Sequence, residues 1–165
     1  MTKRSRQYIS ILIAIIIYYL IHEGAHLLYV LITQTFKSIN FLGLGIQIDI
    51  YSQKMTSTQL GLFCLMGVLA TLCCGYLLTI ATHKICQNKN KLFRAIFYYI
   101  TIAMLLLDPL YLSILCKLFG GGDMNGIALL LPETVARIIF AIILVINGII
   151  FVKYILPLYK KSFSD

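Results

Sequence analysis

The chain has 165 residues, 60% of them hydrophobic, with a mean hydropathy of +0.90 and a formal net charge of +8. That length gives room for one domain, residues 1–165, and an apolar share well above the roughly 45–50% of globular proteins excludes an ordinary water-soluble fold. The 14 lysines and arginines gather at the ends of apolar runs and form no stripe with interleaved aromatics. Nucleic acid is therefore excluded as a partner, and the charge reports membrane topology.

Met1–Gln7 is basic and precedes a long apolar run. A secretory signal has an apolar core of ~7–15 residues and a small-residue cleavage site; this run is longer and no such site precedes the polar cluster inside it. It reads as an uncleaved first span, Tyr8–Thr33. The cluster is His22-Glu23-Gly24-Ala25-His26. Residues four apart share a helix face, so both imidazoles can reach one metal ion, with Glu23 beside them to move a proton. Two histidines and a glutamate in a lipid-compatible segment cost several kcal/mol unless they face a cavity, a partner or an ion. Their place in the chain makes them a functional site, where a soluble helix would make them a surface pair.

After the glycines of Phe41-Leu42-Gly43-Leu44-Gly45, the stretch Ile46–Tyr51 alternates apolar and polar residues, which predicts a strand or small hairpin at the membrane interface, Gly43–Tyr51. The G-x-G there lacks the third glycine and the following helix of a dinucleotide loop. A second span, Thr58–Thr82, carries Gly61, Gly67, Ala70 and Gly75, small residues suited to close helix packing. Cys64, Cys73, Cys74, Cys86 and Cys116 contain no C-x-x-C pair and read as small buried apolar residues. The polar segment His83–Arg94 follows, with His83 at its solvated edge.

The third span, Ala95–Phe119, holds Asp108-Pro109, a carboxylate in hydrocarbon followed by a residue that loosens the helix. It ends at Gly120-Gly121-Gly122-Asp123. The apolar piece Met124–Leu131 is too short to cross a bilayer and reads as a re-entrant turn opening near Asp123. The last span is Thr134–Leu156. Basic residues cluster at the N-terminus, in His83–Arg94 and near the C-terminus, and the other two connections hold only Lys37, Lys54 and Lys117. The positive-inside rule then places both termini and the middle loop in the cytoplasm, and the expected location is the plasma (inner) membrane. The fold expected is an all-α polytopic membrane protein with four transmembrane helices, a β segment between the first two and a re-entrant segment before the last.

The His22-Glu23-x-x-His26 helix, the glycine-rich strand segment and the late glycine-aspartate motif together resemble the site-2 protease family of intramembrane zinc metalloproteases, in a divergent and minimal form. The resemblance implies Zn²⁺ held by His22, His26 and an aspartate, with Glu23 as the general base for hydrolysing peptide bonds in or near transmembrane segments of membrane-protein substrates. The family's second motif runs N-x-x-P and then L-D-G; here the glycines precede Asp123, and Asp108-Pro109 lies where the earlier half would be. Two aspartates compete as third ligand. Helix depth favours Asp108, which lies about as far up its span as His22 lies up the first. The glycines beside Asp123 favour Asp123, which is the choice made here, leaving Asp108 to support the site or handle protons. A catalytically silent relative that binds membrane proteins, or a small transporter using Glu23, Asp108 and Asp123 as a polar path, are the competing functions.

Overall fold

The computed structural model describes residues 1–42 and 45–164. Gly43 and Leu44, at the start of the expected strand, lie outside the described residues. The chain opens with α1 (Lys3–Ile32), whose N-cap Thr2 side chain accepts a hydrogen bond from the Ser5 amide. Strands β1 (Phe36–Leu42) and β2 (Gly45–Ile50) pair antiparallel, with a register shift between Phe36 and Ser38. Helix α2 (Ser57–Cys86) starts at a capping box in which Thr56 and Gln59 each take the other's backbone N–H, at 3.2 and 2.9 Å. Helix α3 (Lys91–Leu110) is capped by Asn90 and runs on through a π-helical turn, Tyr111–Leu115. The short α4 (Asp123–Ile127) precedes α5 (Glu133–Ile150), which continues through a second π turn into α6 (Leu156–Ser164).

Four helical rods are long and apolar enough to cross a membrane: Lys3–Ile32, Ser57–Cys86, Lys91–Leu115 and Glu133–Ser164. Even the shortest, 25 residues, reaches ~37 Å at ~1.5 Å per residue, beyond a hydrocarbon core of ~30 Å. Most run past the apolar stretches that announce them, because their caps sit on polar residues beyond those stretches. The basic segment His83–Arg94 is the clearest case: helix occupies both its ends, only residues 87–90 connect α2 to α3, and Arg94 is buried. On α5 and its continuation, Ile138, Ile142, Val145, Ile149 and Val152 form one outward stripe, each 51–62% exposed. Such a stripe suits lipid and not water.

Helices α1, α2 and α3 pack on one another, α5 lies against α3, and α4 lies against α2. One core joins Val30, Val68, Leu112, Met124 and Ile127, and Ile48 of β2 inserts into it, which seats the hairpin on the helices. On the hairpin's polar side, Asn40 Nδ2 donates to Asp49 Oδ2 at 2.8 Å, and Lys37 Nζ stands 3.7 Å from the same oxygen.

Pro109 explains how α5 is fixed. Its nitrogen has no hydrogen, so the Leu105 carbonyl four residues back lacks its helical donor. Asn147, fully buried on α5, donates from Nδ2 to that carbonyl at 2.7 Å and accepts from Tyr76 Oη at 2.8 Å. A polar side chain in the most apolar rod thus satisfies a backbone group that the proline leaves open. Replacing Asn147→Leu leaves two polar groups without partners and should cost about 1–3 kcal/mol of stability. In Pro109→Ala, where the helix can supply its own donor, the same replacement should cost about 1 kcal/mol less, measured as a double-mutant cycle on thermal unfolding.

Candidate metal centre

The site grows from α1. His22 and His26 sit one turn apart on its inner face, 8% and 3% exposed, with their Nε2 atoms 3.2 Å apart. Asp123 arrives from the other end of the chain as the first residue of α4. The preceding glycines all adopt positive φ, +84° at Gly120, +88° at Gly121 and +44° at Gly122. A side chain would strain each of them, and the run turns the backbone from the end of α3 back toward α1. Asp123 Oδ2 then lies 3.1 Å from His22 Nε2, and Oδ1 lies 3.7 Å from His26 Nε2.

Those separations can be compared with what a metal needs. Ligand atoms ~2.0–2.1 Å from a tetrahedral zinc ion stand ~3.3 Å from one another. The His22–His26 and His22–Asp123 Oδ2 separations, 3.2 and 3.1 Å, lie near that value, and the second carboxylate oxygen, Oδ1, stands 3.7 Å from His26 Nε2, so the group formed by two buried histidines and the partly buried Asp123 could hold a metal ion. The donor set of two imidazoles and one carboxylate suits zinc chemically. Burial alone would raise the Asp123 carboxyl, but its hydrogen bonds with His22 and then His26 outweigh this and hold it well below the usual carboxylate range.

The far side of each imidazole fixes what the near side offers. His26 Nδ1 is 2.7 Å from the Phe63 carbonyl oxygen of α2. A carbonyl can only accept, so Nδ1 carries the hydrogen, and the neutral ring presents a lone pair at Nε2. His22 Nδ1 lies 3.4 Å from Asp108 Oδ1, within ion-pairing range although not aligned as a hydrogen bond. Asp108, 3% exposed, accepts hydrogen bonds from Tyr18 Oη and Thr71 Oγ1, which orient its carboxylate from α1 and α2. Both aspartates thus touch His22, at different nitrogens. Asp123 is on the Nε2 side shared with His26, and Asp108 is behind the ring.

Gly67 closes the site from α2. A β-carbon there would lie 2.6 Å from His26 Nε2 and 2.7 Å from His22 Nε2, so the glycine leaves the space in which the two nitrogens face each other. From the sequence Gly67 stands out only as a packing residue, and neither Tyr18 nor Thr71 stands out at all. Glu23, half-buried, lines the same cavity of about 660 Å³ as both histidines, both aspartates and Tyr111, and it has no hydrogen-bond or ion-pair partner among the described residues. His83 is exposed on the far part of α2, hydrogen-bonded to Gln87, and takes no part. All five cysteines are free; Cys64 borders the cavity, whereas Cys73 is exposed on the outside of α2 and not buried as its apolar span suggests.

A comparison of the chain with protein-family models, with curated proteins and with solved structures finds no match. The chemistry of the site is accordingly read from its own residues.

Two substitutions separate this geometry from ordinary packing. Gly67→Ala gains up to ~1 kcal/mol of helix propensity, yet its methyl occupies the space between the two Nε2 atoms and should weaken metal binding, read with zinc as the probe, by about tenfold or more. Asp108→Asn keeps shape and loses the charge behind His22, and should weaken zinc binding ~10–100-fold. Competition against a fluorescent zinc chelator measures both, with circular dichroism to confirm the helices are intact.

Proposed function

We propose that this protein is a zinc-dependent endopeptidase embedded in the plasma membrane, with both termini cytoplasmic, of the kind its resemblance to the site-2 protease family implies. The observation that carries the proposal is the convergence of His22 Nε2, His26 Nε2 and the Asp123 carboxylate at 3.1–3.7 Å, with the unpartnered carboxylate of Glu23 in the same cavity. The lysine and arginine distribution supports the orientation, and α4 serves as the re-entrant turn that delivers Asp123.

A zinc ion held by His22, His26 and Asp123 would supply Lewis acidity and lower the pKa of a water molecule toward ~7. The protein's own groups do the rest. Glu23 takes a proton from the attacking water and gives it to the leaving amine nitrogen, a task that needs a carboxylate free of other partners. Phe63 and Asp108 hold the imidazole rings in place. Gln47 and Ile48 of β2 line the same cavity, and β2 pairs with β1 alone among the described residues. An extended substrate segment added along the hairpin would therefore pass the site with its backbone already unwound.

Glu23→Gln separates an enzyme from a binding protein or a transporter. The variant should retain about one zinc per chain by metal analysis and lose cleavage of a reconstituted transmembrane substrate by ~10³-fold or more, while His22→Ala should lose the zinc as well. Full cleavage by Glu23→Gln, or full zinc in a His22→Ala, His26→Ala double variant, would overturn the proposal.

A further inference from the structure

A second cavity, about 730 Å³, lies at the opposite end of the helices from the hairpin, where the start of α1, the first turns of α3 and the whole of α6 meet. Lys3, Arg6 and Lys160 line it, with walls of Tyr98, Tyr159 and Phe163. Among the described residues no carboxylate lines it, and none of these three cations forms an ion pair there. The positive charge is reinforced from beneath. Arg94, 7% exposed, places its guanidinium carbon 5.4 Å from the Phe163 ring centroid, and Arg6 places its own 5.8 Å from the same ring. Arg94 Nε has no hydrogen-bond partner, and neither has the hydroxyl of Tyr159, which is 1% exposed.

Cations at a cytoplasmic helix end are ordinary when they point into water. Here they converge on a concave aromatic surface next to a buried arginine that donates from Nη1 to the Cys86 carbonyl at 3.5 Å but has no counter-ion among the described residues, and such an arrangement is costly unless an anion completes it. The surrounding helix faces are apolar; Tyr8, Ile9 and Leu12 of α1 are exposed within two turns of Arg6. An occupant must therefore carry negative charge at one end and hydrocarbon at the other. Basic pockets between transmembrane helices on the cytoplasmic side suit anionic lipid headgroups in this way.

We infer that the cavity between α1, α3 and α6 binds the phosphate headgroup of an anionic phospholipid, with Lys3, Arg6 and Lys160 as its ligands and the acyl chains lying against α1. The inference rests on the membrane reading and is independent of the metal centre, so its test reads lipid and not activity. Native mass spectrometry of the full chain, released from micelles containing equal phosphatidylglycerol and phosphatidylcholine, should show one retained phosphatidylglycerol per chain. Arg6→Gln combined with Lys160→Gln should reduce that bound fraction about tenfold or more, with the zinc content unchanged. A control pair on the same face, Lys84→Gln with Lys89→Gln, should leave it unaltered. Equal loss in the control pair would show general surface attraction and overturn the site. Equal retention of the two lipids would overturn it too, and binding of inorganic phosphate in place of the lipid would overturn the assignment to a headgroup.

Discussion

Three electron-pair donors pointing at one another in a largely buried site are held together only by a positive charge between them. His26 offers a lone pair because the Phe63 carbonyl claims its Nδ1 hydrogen at 2.7 Å. Asp123 offers a full negative charge, and His22 is biased the same way by the Asp108 carboxylate 3.4 Å behind it. With no metal, a proton shared among these groups has to serve. A divalent cation serves better, since two neutral histidines and Asp123 leave it a single positive charge, which the Asp108 carboxylate behind His22 offsets.

The helical frame exists to make that convergence possible. Helix α1 supplies two rings by spacing alone, but their orientation comes from its neighbours: α2 gives the Phe63 carbonyl, the Thr71 hydroxyl and the empty space at Gly67. Helix α3 supplies Asp108 at the depth of His22 and then yields at Pro109. The backbone group freed there is taken up by Asn147, which ties α5 in place. Beyond the π turn the three glycines reverse the chain and bring Asp123 back. Three irregularities, the proline, the first π turn and the glycine run, lie between the two aspartates that meet His22.

Much of this was open to the sequence, and what was hidden has physical reasons. The four spans are legible because bilayer thickness imposes a length on apolar runs, and the hairpin is legible in β2 because Ile46, Ile48 and Ile50 alternate with polar residues. Its partner β1 is not, since Phe36–Leu42 carries Lys37, Ser38 and Asn40 in a less regular pattern whose purpose is to meet Asp49 across the strands. His22, Glu23 and His26 declare themselves by helical spacing. Depth counting draws attention to Asp108, and the structure puts it against His22, but which ring nitrogen an aspartate faces depends on contacts between distant segments. Tyr18 and Thr71 are invisible for the same reason: hydropathy treats them as tolerable span residues, and their value lies wholly in reaching Asp108. Asn147 is an amide in the most apolar rod and was a readable signal, because such a group requires a partner in lipid.

X-ray absorption at the zinc edge of the purified, zinc-loaded protein tests the composition of the metal site directly. The spectrum should show two imidazole nitrogens at ~2.0–2.1 Å and carboxylate or water oxygens at ~2.0–2.2 Å, with the imidazole scattering lost in His22→Ala, His26→Ala. A sulfur shell at ~2.3 Å would put Cys64 in the place assigned to Asp123, and a spectrum without imidazole scattering would remove the site from α1 altogether.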